Sequence, residues 1–404
     1  MTTDTTNAME RVLQGLRVID LTQNVAGPYC SQILGDMGAE IVKIERPGTG
    51  DDTRAWMPPA WGEYSSTFLA LNRNKKSVCV DLDSPEGRDI VLRLAKDADI
   101  LIHSLKPGSA ESRGLGYEQL REVNPRLVYC AISAFGQTGP MRGLPGYDPL
   151  MQAFTGVMSV TGNEGDDPVR VSVSLIDMGT GMWSAMGIMA ALREVERTGQ
   201  GCRVDASLLE TGVAWMTVFV ANHRATGALP RKMGSAMAMT APYELFAAAD
   251  GSVFIAAGND RLFVQVCAAL GLGALPADER FATNSARVNN RVTLHVLIEE
   301  RTRQLPAAEV VQRLQARGAP CSIMNNVKQM LESEQVAAVG IVQDLPMAAG
   351  DQHRVVGLPF CLDNERASHH VRPPLLGEHT QAVLEAAGIP AEQIQALKAK
   401  RVIG

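Results

Sequence analysis

Short runs of β-branched and aliphatic residues alternate with helical stretches through the first half of the chain, and this alternation constrains the fold more than any other feature. Val18-Ile19-Asp20-Leu21 ends in a loop, Pro28 can open a helix running to Met37, and residues 41–44 form a second apolar run, which makes one βαβ unit. The pattern recurs. Ser84-Pro85-Glu86 offers an N-cap with proline in the first turn, the helix is predicted to reach Asp97, and residues 100–105 follow as a strand. Residues 77–82 and 127–133 are further strand candidates. Strands joined by helices give a mostly parallel sheet covered on both faces, with ligands bound at the carboxyl ends of its strands. The first 200 or so residues therefore read as a doubly wound, Rossmann-like α/β domain.

The character changes after the helical stretch 208–223. Residues 243–248 and 253–257 flank Asp250-Gly251, a hairpin signal, and helices are predicted at 261–270, 292–304 and 307–316. A separate α+β domain is expected there. Proline, glycine and polar residues dominate 348–374, which reads as a long irregular return before a last helical region from Thr380. The predicted organisation is a large domain from 1–223, a small domain from 224–324, and a C-terminal part of the large domain from 325–404.

Composition removes several classes of function. The 404 residues correspond to two or three domains at about 150 residues each, and 46% hydrophobic with 20% charged residues is enough to build a core. With 38 Lys+Arg against 44 Asp+Glu the formal charge is −6, so no electrostatic footprint for nucleic acid or an anionic membrane is expected. The seven cysteines are scattered without a CxxC pair, which fits a reducing, cytoplasmic setting better than a disulfide framework or zinc site. Residues 1–12 are polar and lack the apolar core of a secretory signal. The apolar run 178–192 is about a turn too short to span a bilayer and carries three glycines, so a buried helix is expected.

Among chemical motifs, Gly35-Asp36-Met37-Gly38 closes a helix before a strand, so it reads as a helix C-cap rather than a phosphate cradle. No GxGxxG or GxxxxGK[ST] follows a strand, and no GxSxG is present. His103, His223, His295 and His369-His370 make no metal-ligand spacing, so no metal site is expected. Asp177, by contrast, stands where an extended run meets a small-residue helix. A carboxylate there would be kept ionised by the helix dipole and beside free N–H groups, or would simply cap the helix; the local pattern leaves both open.

Several segments together resemble the class III coenzyme A transferase family, which includes formyl-CoA transferase and carnitine-linked transferases and has α-methylacyl-CoA racemase as a relative. They are Gly15-Leu-Arg-Val-Ile-Asp20, Ala26-Gly-Pro-Tyr-Cys30, the stretch from Gly38 to Pro47, Gly50-Asp51 with Arg54, Asn74-Lys-Lys-Ser77, Pro107-Gly108, Phe135-Gly-Gln-Thr-Gly-Pro140, Tyr147-Asp148 and Leu375-Leu-Gly-Glu-His-Thr380. The resemblance is nearly full length. It implies that Asp177 is a nucleophile passing through a mixed anhydride and an aspartyl-CoA thioester. It also implies that coenzyme A, a substrate rather than a tightly bound cofactor, contacts Asn24, Ala26, Arg46, Val80, Ser104 and Leu105. Where relatives often carry an arginine after the Pro-Gly pair, this chain has Ser112, with Arg113 beside it.

Two departures narrow the substrate. Val25 stands where formyl-CoA transferases have glutamine, and the 233–239 segment replaces their glycine-rich lid, which disfavours oxalate and formyl-CoA. Tyr147 replaces the racemase histidine, which favours transfer over α-proton exchange. The expected reaction moves CoA from an acyl-CoA, with succinyl-CoA a candidate donor, to a small carboxylic or dicarboxylic acid. A racemase-like isomerase and a non-catalytic CoA-binding protein are the alternatives. The resemblance also implies an interlocked homodimer.

Overall fold

A computed structural model describes residues 7–347, 352–368 and 370–404. Residues 1–6, part of the return segment and His369 lie outside the described residues. By its internal contacts the chain divides into two compact units, one of Met1–Val157, Val171–Ala221 and Ala337–Gly404, the other of Met158–Arg170 and Asn222–Val336. The segment Met158–Arg170, which the sequence reading places in the large domain, groups with the second unit.

The first unit is built on six strands: β1 (Arg17–Leu21), β2 (Glu40–Glu45), β3 (Lys75–Cys79), β4 (Ile100–His103), β5 (Val128–Ser133) and β6 (Arg203–Ser207). They pair in the order β3-β2-β1-β4-β5-β6, all parallel, with Val18 opposite Ile41 on one side and Ile100 on the other. This is the doubly wound order, and its direction reverses between β1 and β4. β1, β2, β4 and β5 are buried almost throughout, as both faces of a parallel sheet must be, while the edge strand β6 is fully buried only at Ser207. The strand predicted at 77–82 starts two residues earlier and ends at Cys79; Val80 then makes a single antiparallel bridge to Ile403.

Five helices of this unit matter for the site: α1 (Ala26–Asp36), α2 (Pro85–Lys96), α3 (Asp148–Phe154), α4 (Leu175–Thr198) and α5 (Leu208–Trp215). Helix α1 ends as expected, because Gly38 adopts φ +99° and a Cβ there would meet the Glu10 carbonyl oxygen at 1.8 Å. Ser84 caps α2 by accepting the Gly87 N–H at 3.0 Å. Helix α4 corrects the sequence reading: it has 24 residues, and by length and composition it is long and apolar enough to cross a membrane. It extends beyond the apolar run at both ends. Its Gly181 packs so closely on α1 that a Cβ would lie 2.6 Å from the Ala26 carbonyl oxygen, while Met182, Trp183 and Met186 on another face are exposed.

The second unit holds a three-stranded antiparallel sheet of β7 (Tyr243–Ala247), β8 (Ser252–Ala256) and β9 (Cys321–Ile323). Helices α6 (Asp260–Ala269), α7 (Arg291–Thr302) and α8 (Ala307–Gln315) complete its core around Phe246, Phe263 and Val310. The return segment is less irregular than expected. Strands β10 (Val342–Pro346) and β11 (Gln352–Val356) pair antiparallel, which lets Leu345 and Val355 bury against Tyr64, Phe68 and Leu69. Helices α9 (Thr380–Ala386) and α10 (Ala391–Ala399) follow in the first unit, to which β10 and β11 also belong, and Leu384, Ile394 and Leu397 pack in one core with Ile90, Val91 and Leu94 of α2.

Candidate active site

A cleft of about 420 Å³ opens at the carboxyl ends of β1, β4, β5 and β6, beside the point where the strand order reverses. Its walls come from the β1–α1 loop with the start of α1, residues 23–27, from 104–107 after β4, from 132–134 at the end of β5, from the 143–147 loop, and from Trp56, Asp177 and Leu208. Five of the eight residues expected at the site, Asn24, Ala26, Ser104, Leu105 and Asp177, thus meet in one cavity.

Arg46, Val80 and Arg113 do not line it. Arg46 is paired with Asp52 and donates to the Gly50 carbonyl at 3.1 Å. Arg113 is paired with Asp83 at 2.6 Å and bonds the Ser109 carbonyl at 3.2 Å. The Val80 side chain is core, and its N–H donates to the Glu45 carbonyl at 2.9 Å. Trp56 and Lys106 were not among the expected site residues. The signal for them was local, since Lys106 follows Ser104-Leu105 directly and Trp56 follows Gly50-Asp51 and Arg54 by two residues.

Asp177 is the third residue of α4, but it does not cap the helix. Ser174 at the N-cap makes no side-chain bond, and the buried Asp148 on α3 takes over: its Oδ2 accepts the N–H of Ile176 at 2.7 Å and of Asp177 at 3.2 Å. Asp148 is held in turn by Gln152, whose Nε2 donates to its Oδ1 at 2.5 Å and whose amide also clasps both backbone groups of Val171. The first-turn donors of α4 are therefore already used. The Asp177 carboxyl is left to the cleft.

The sequence reading left Asp177 either kept ionised by the helix dipole or capping the helix, and the cap is supplied by Asp148 instead. Burial, and then the neighbouring Asp148 charge, push its pKa up from 3.8 to about 7. Among the described residues no cation pairs with it. Gly179 sits inside α4 against the Trp215 indole, where an added Cβ would lie 2.8 Å from the ring. Tyr147, at the N-cap of α3, is 59% exposed and lines the cleft. Among the described residues no group of three His, Cys, Asp or Glu side chains is placed to hold a metal ion.

Comparison with known proteins places this geometry. The chain is 36% identical over 373 residues to a human succinyl-CoA:glutarate CoA-transferase, covering 92% of this chain and 85% of that one. It is 38% identical over 378 residues to the succinate–glutarate CoA-transferase of Agrobacterium fabrum, covering 92% and 94%. An acetyl-CoA:oxalate CoA-transferase from Acetobacter aceti is 37% identical over 338 residues, covering 83% and 87%. The crystal structure of a CaiB/BaiF family protein from Brucella suis superposes with a TM-score of 0.84 at 37% identity, covering 93% of this chain and 99% of that one. The sequence profile of CoA-transferase family III matches residues 13–380, and the chain belongs to that family as a class III CoA-transferase.

Proposed function

We propose that this enzyme moves CoA from succinyl-CoA to a small dicarboxylic acid of the glutarate type, with Asp177 as the covalent relay. The observation that carries this reading is the Asp177 carboxyl itself, half-buried at the carboxyl edge of the sheet, without an ion-pair partner among the described residues, and open to the cleft. Relatives named for succinyl-CoA and glutarate, similar over most of the chain, support the choice of donor and acceptor.

The steps balance without ATP. The Asp177 carboxylate attacks the thioester carbonyl and expels CoA thiolate, giving an anhydride between the acyl group and Asp177. The thiolate then attacks the Asp177 carbonyl carbon and releases the donor acid, leaving an aspartyl-CoA thioester. The acceptor carboxylate attacks that thioester, forming a second anhydride and freeing the thiolate, which takes the acceptor acyl group and restores Asp177. Donor, enzyme and acceptor acids have intrinsic pKa values near 4, so successive anhydrides lie close in energy. The raised pKa of half-buried Asp177 makes it the more basic, and hence the more nucleophilic, carboxylate once ionised.

Incubation with succinyl-CoA and a panel holding glutarate, oxalate and monocarboxylic acids should yield the new acyl-CoA without ATP, glutarate fastest. Hydroxylamine should trap an Asp177 adduct. No product with any acid would reject the reading; deuterium uptake at the α-carbon without an acceptor would replace it with an isomerase.

We also infer a homodimer in a reducing, cytoplasmic compartment. Exposed Met182, Trp183, Met186, Val213 and Trp215 form a large apolar surface on α4 and α5, and all seven cysteines are free thiols. Light scattering that returns a monomer mass would remove the dimer.

A further inference from the structure

The loop that carries Asn24 into the cleft rests on a buried set of charges. Asp20, Lys43, Glu45, Asp51 and Lys75 are each at most 4% exposed. Asp51 divides its two oxygens between two tasks. Oδ2 faces Lys43 Nζ at 2.8 Å, while Oδ1 accepts three donors: the Asn24 N–H at 3.2 Å, the Thr53 N–H at 2.9 Å and the Thr53 hydroxyl at 2.7 Å. Lys43 Nζ also donates to the Thr22 carbonyl at 2.8 Å, and Asp20 Oδ1 accepts the Thr22 N–H at 2.8 Å. The Gln23 N–H goes to Ser104 Oγ at 3.1 Å.

The Thr22–Asn24 turn is thus fixed at four backbone atoms. Asn24 is held at φ +68°, a left-handed conformation that a non-glycine residue adopts at some cost. The same Asp51 caps the short 3₁₀ turn Asp52–Ala55, whose next residue, Trp56, is on the cleft wall. One carboxylate therefore ties together two walls of the cleft.

We propose that Asp51, with Lys43 as its counterion, is a positioning residue for the acyl-CoA: it sets the β1–α1 loop and Trp56 in register, without itself touching the substrate. The proposal rests on the reading that acyl-CoA occupies this cleft. Asparagine at position 51 has a single oxygen for two sets of donors, so either Lys43 or the loop N–H groups lose their acceptor.

Steady-state kinetics of Asp51→Asn should show KM for acyl-CoA raised about tenfold with KM for the acceptor acid and kcat within about twofold. Because Asp51→Asn leaves the Lys43 charge unpaired, the double variant Lys43→Met/Asp51→Asn keeps the test open if the single variant fails to fold. It should keep the raised KM for acyl-CoA. A wild-type KM for acyl-CoA in the folded double variant, or an equal rise in both KM values, overturns the proposal. Trp56→Ala separates the premises: unchanged acyl-CoA affinity there defeats the cleft reading itself, whereas weakened affinity there with wild-type affinity in the double variant defeats only the role of Asp51.

Discussion

Two sites of the first unit withdraw carboxylates from water and treat them in opposite ways. Beneath the β1–α1 loop, burial alone would raise the pKa values of Asp20, Glu45 and Asp51, but Lys43, Lys75 and Arg54 override it and hold all three below their usual range. At α4, burial acts on Asp177 with no cation to oppose it and with Asp148 adding to it, and the pKa climbs to about 7. The cluster carboxylates are the more deeply buried, yet it is the half-buried Asp177 whose pKa rises, so the partners decide the direction. Counterions, or at Asp148 a set of amide hydrogen bonds, make a buried carboxylate into scaffold, while a half-buried one with neither is left reactive.

The largest effect that would test this contrast is chemical. Asp177→Ala should lower transfer by at least about 10³-fold while CoA still binds; near-normal turnover would remove Asp177 from the reaction. In the ion cluster the corresponding change is thermodynamic. Lys43→Met strands Asp51, and chemical denaturation should show a loss of about 3–5 kcal/mol, largely regained when Asp51→Asn is added. A Lys43→Met variant of wild-type stability would erase the distinction between the two regions.

The pH dependence sharpens it further. Ionised Asp177 is the attacking form, so kcat/KM for acyl-CoA should rise with pH and level off above about 7. In Asp148→Asn the smaller of the two causes of the raised pKa is gone, and the midpoint should move lower. A midpoint that stays put would mean that desolvation acts alone.

The smallest effect is on stability. Folded Asp177 binds its proton more tightly than the unfolded chain does, so between pH 3.8 and about 7 its contribution to stability falls as pH rises. Asp177→Asn should therefore raise Tm by about 2 °C at pH 8 and leave it unchanged near pH 4. The cluster runs the other way. Asp20, Glu45 and Asp51 stabilise the fold above their ordinary pKa values, and this is lost as pH falls through their depressed ones. Acid unfolding that begins at pH 6 would contradict that sign.

Much of the first unit was legible because its information is local. Ser84-Pro85 starts α2 where a cap and a first-turn proline must, Gly38 ends α1 where only glycine fits, and the β-branched runs fall in strands buried on both faces. The pairing of Val342–Pro346 with Gln352–Val356 was not legible, because its two strands pack on Tyr64 and Phe68, nearly 300 residues away in sequence. Asp177 was visible as a residue at the start of a helix, but the burial that raises its pKa, and Asp148 on a different helix that adds to it, were not.

The sequence by itself determined the alternation that makes a doubly wound sheet, the family motifs, and the identity of the carboxylate at position 177, because each depends on neighbours within a few residues. Only the tertiary structure decided which carboxylates acquired counterions, which side chains met in one cleft, and that Asp148 rather than Asp177 caps α4. Those outcomes are set by burial and by distances of about 3 Å between residues far apart in the chain, and neither quantity is carried by local pattern.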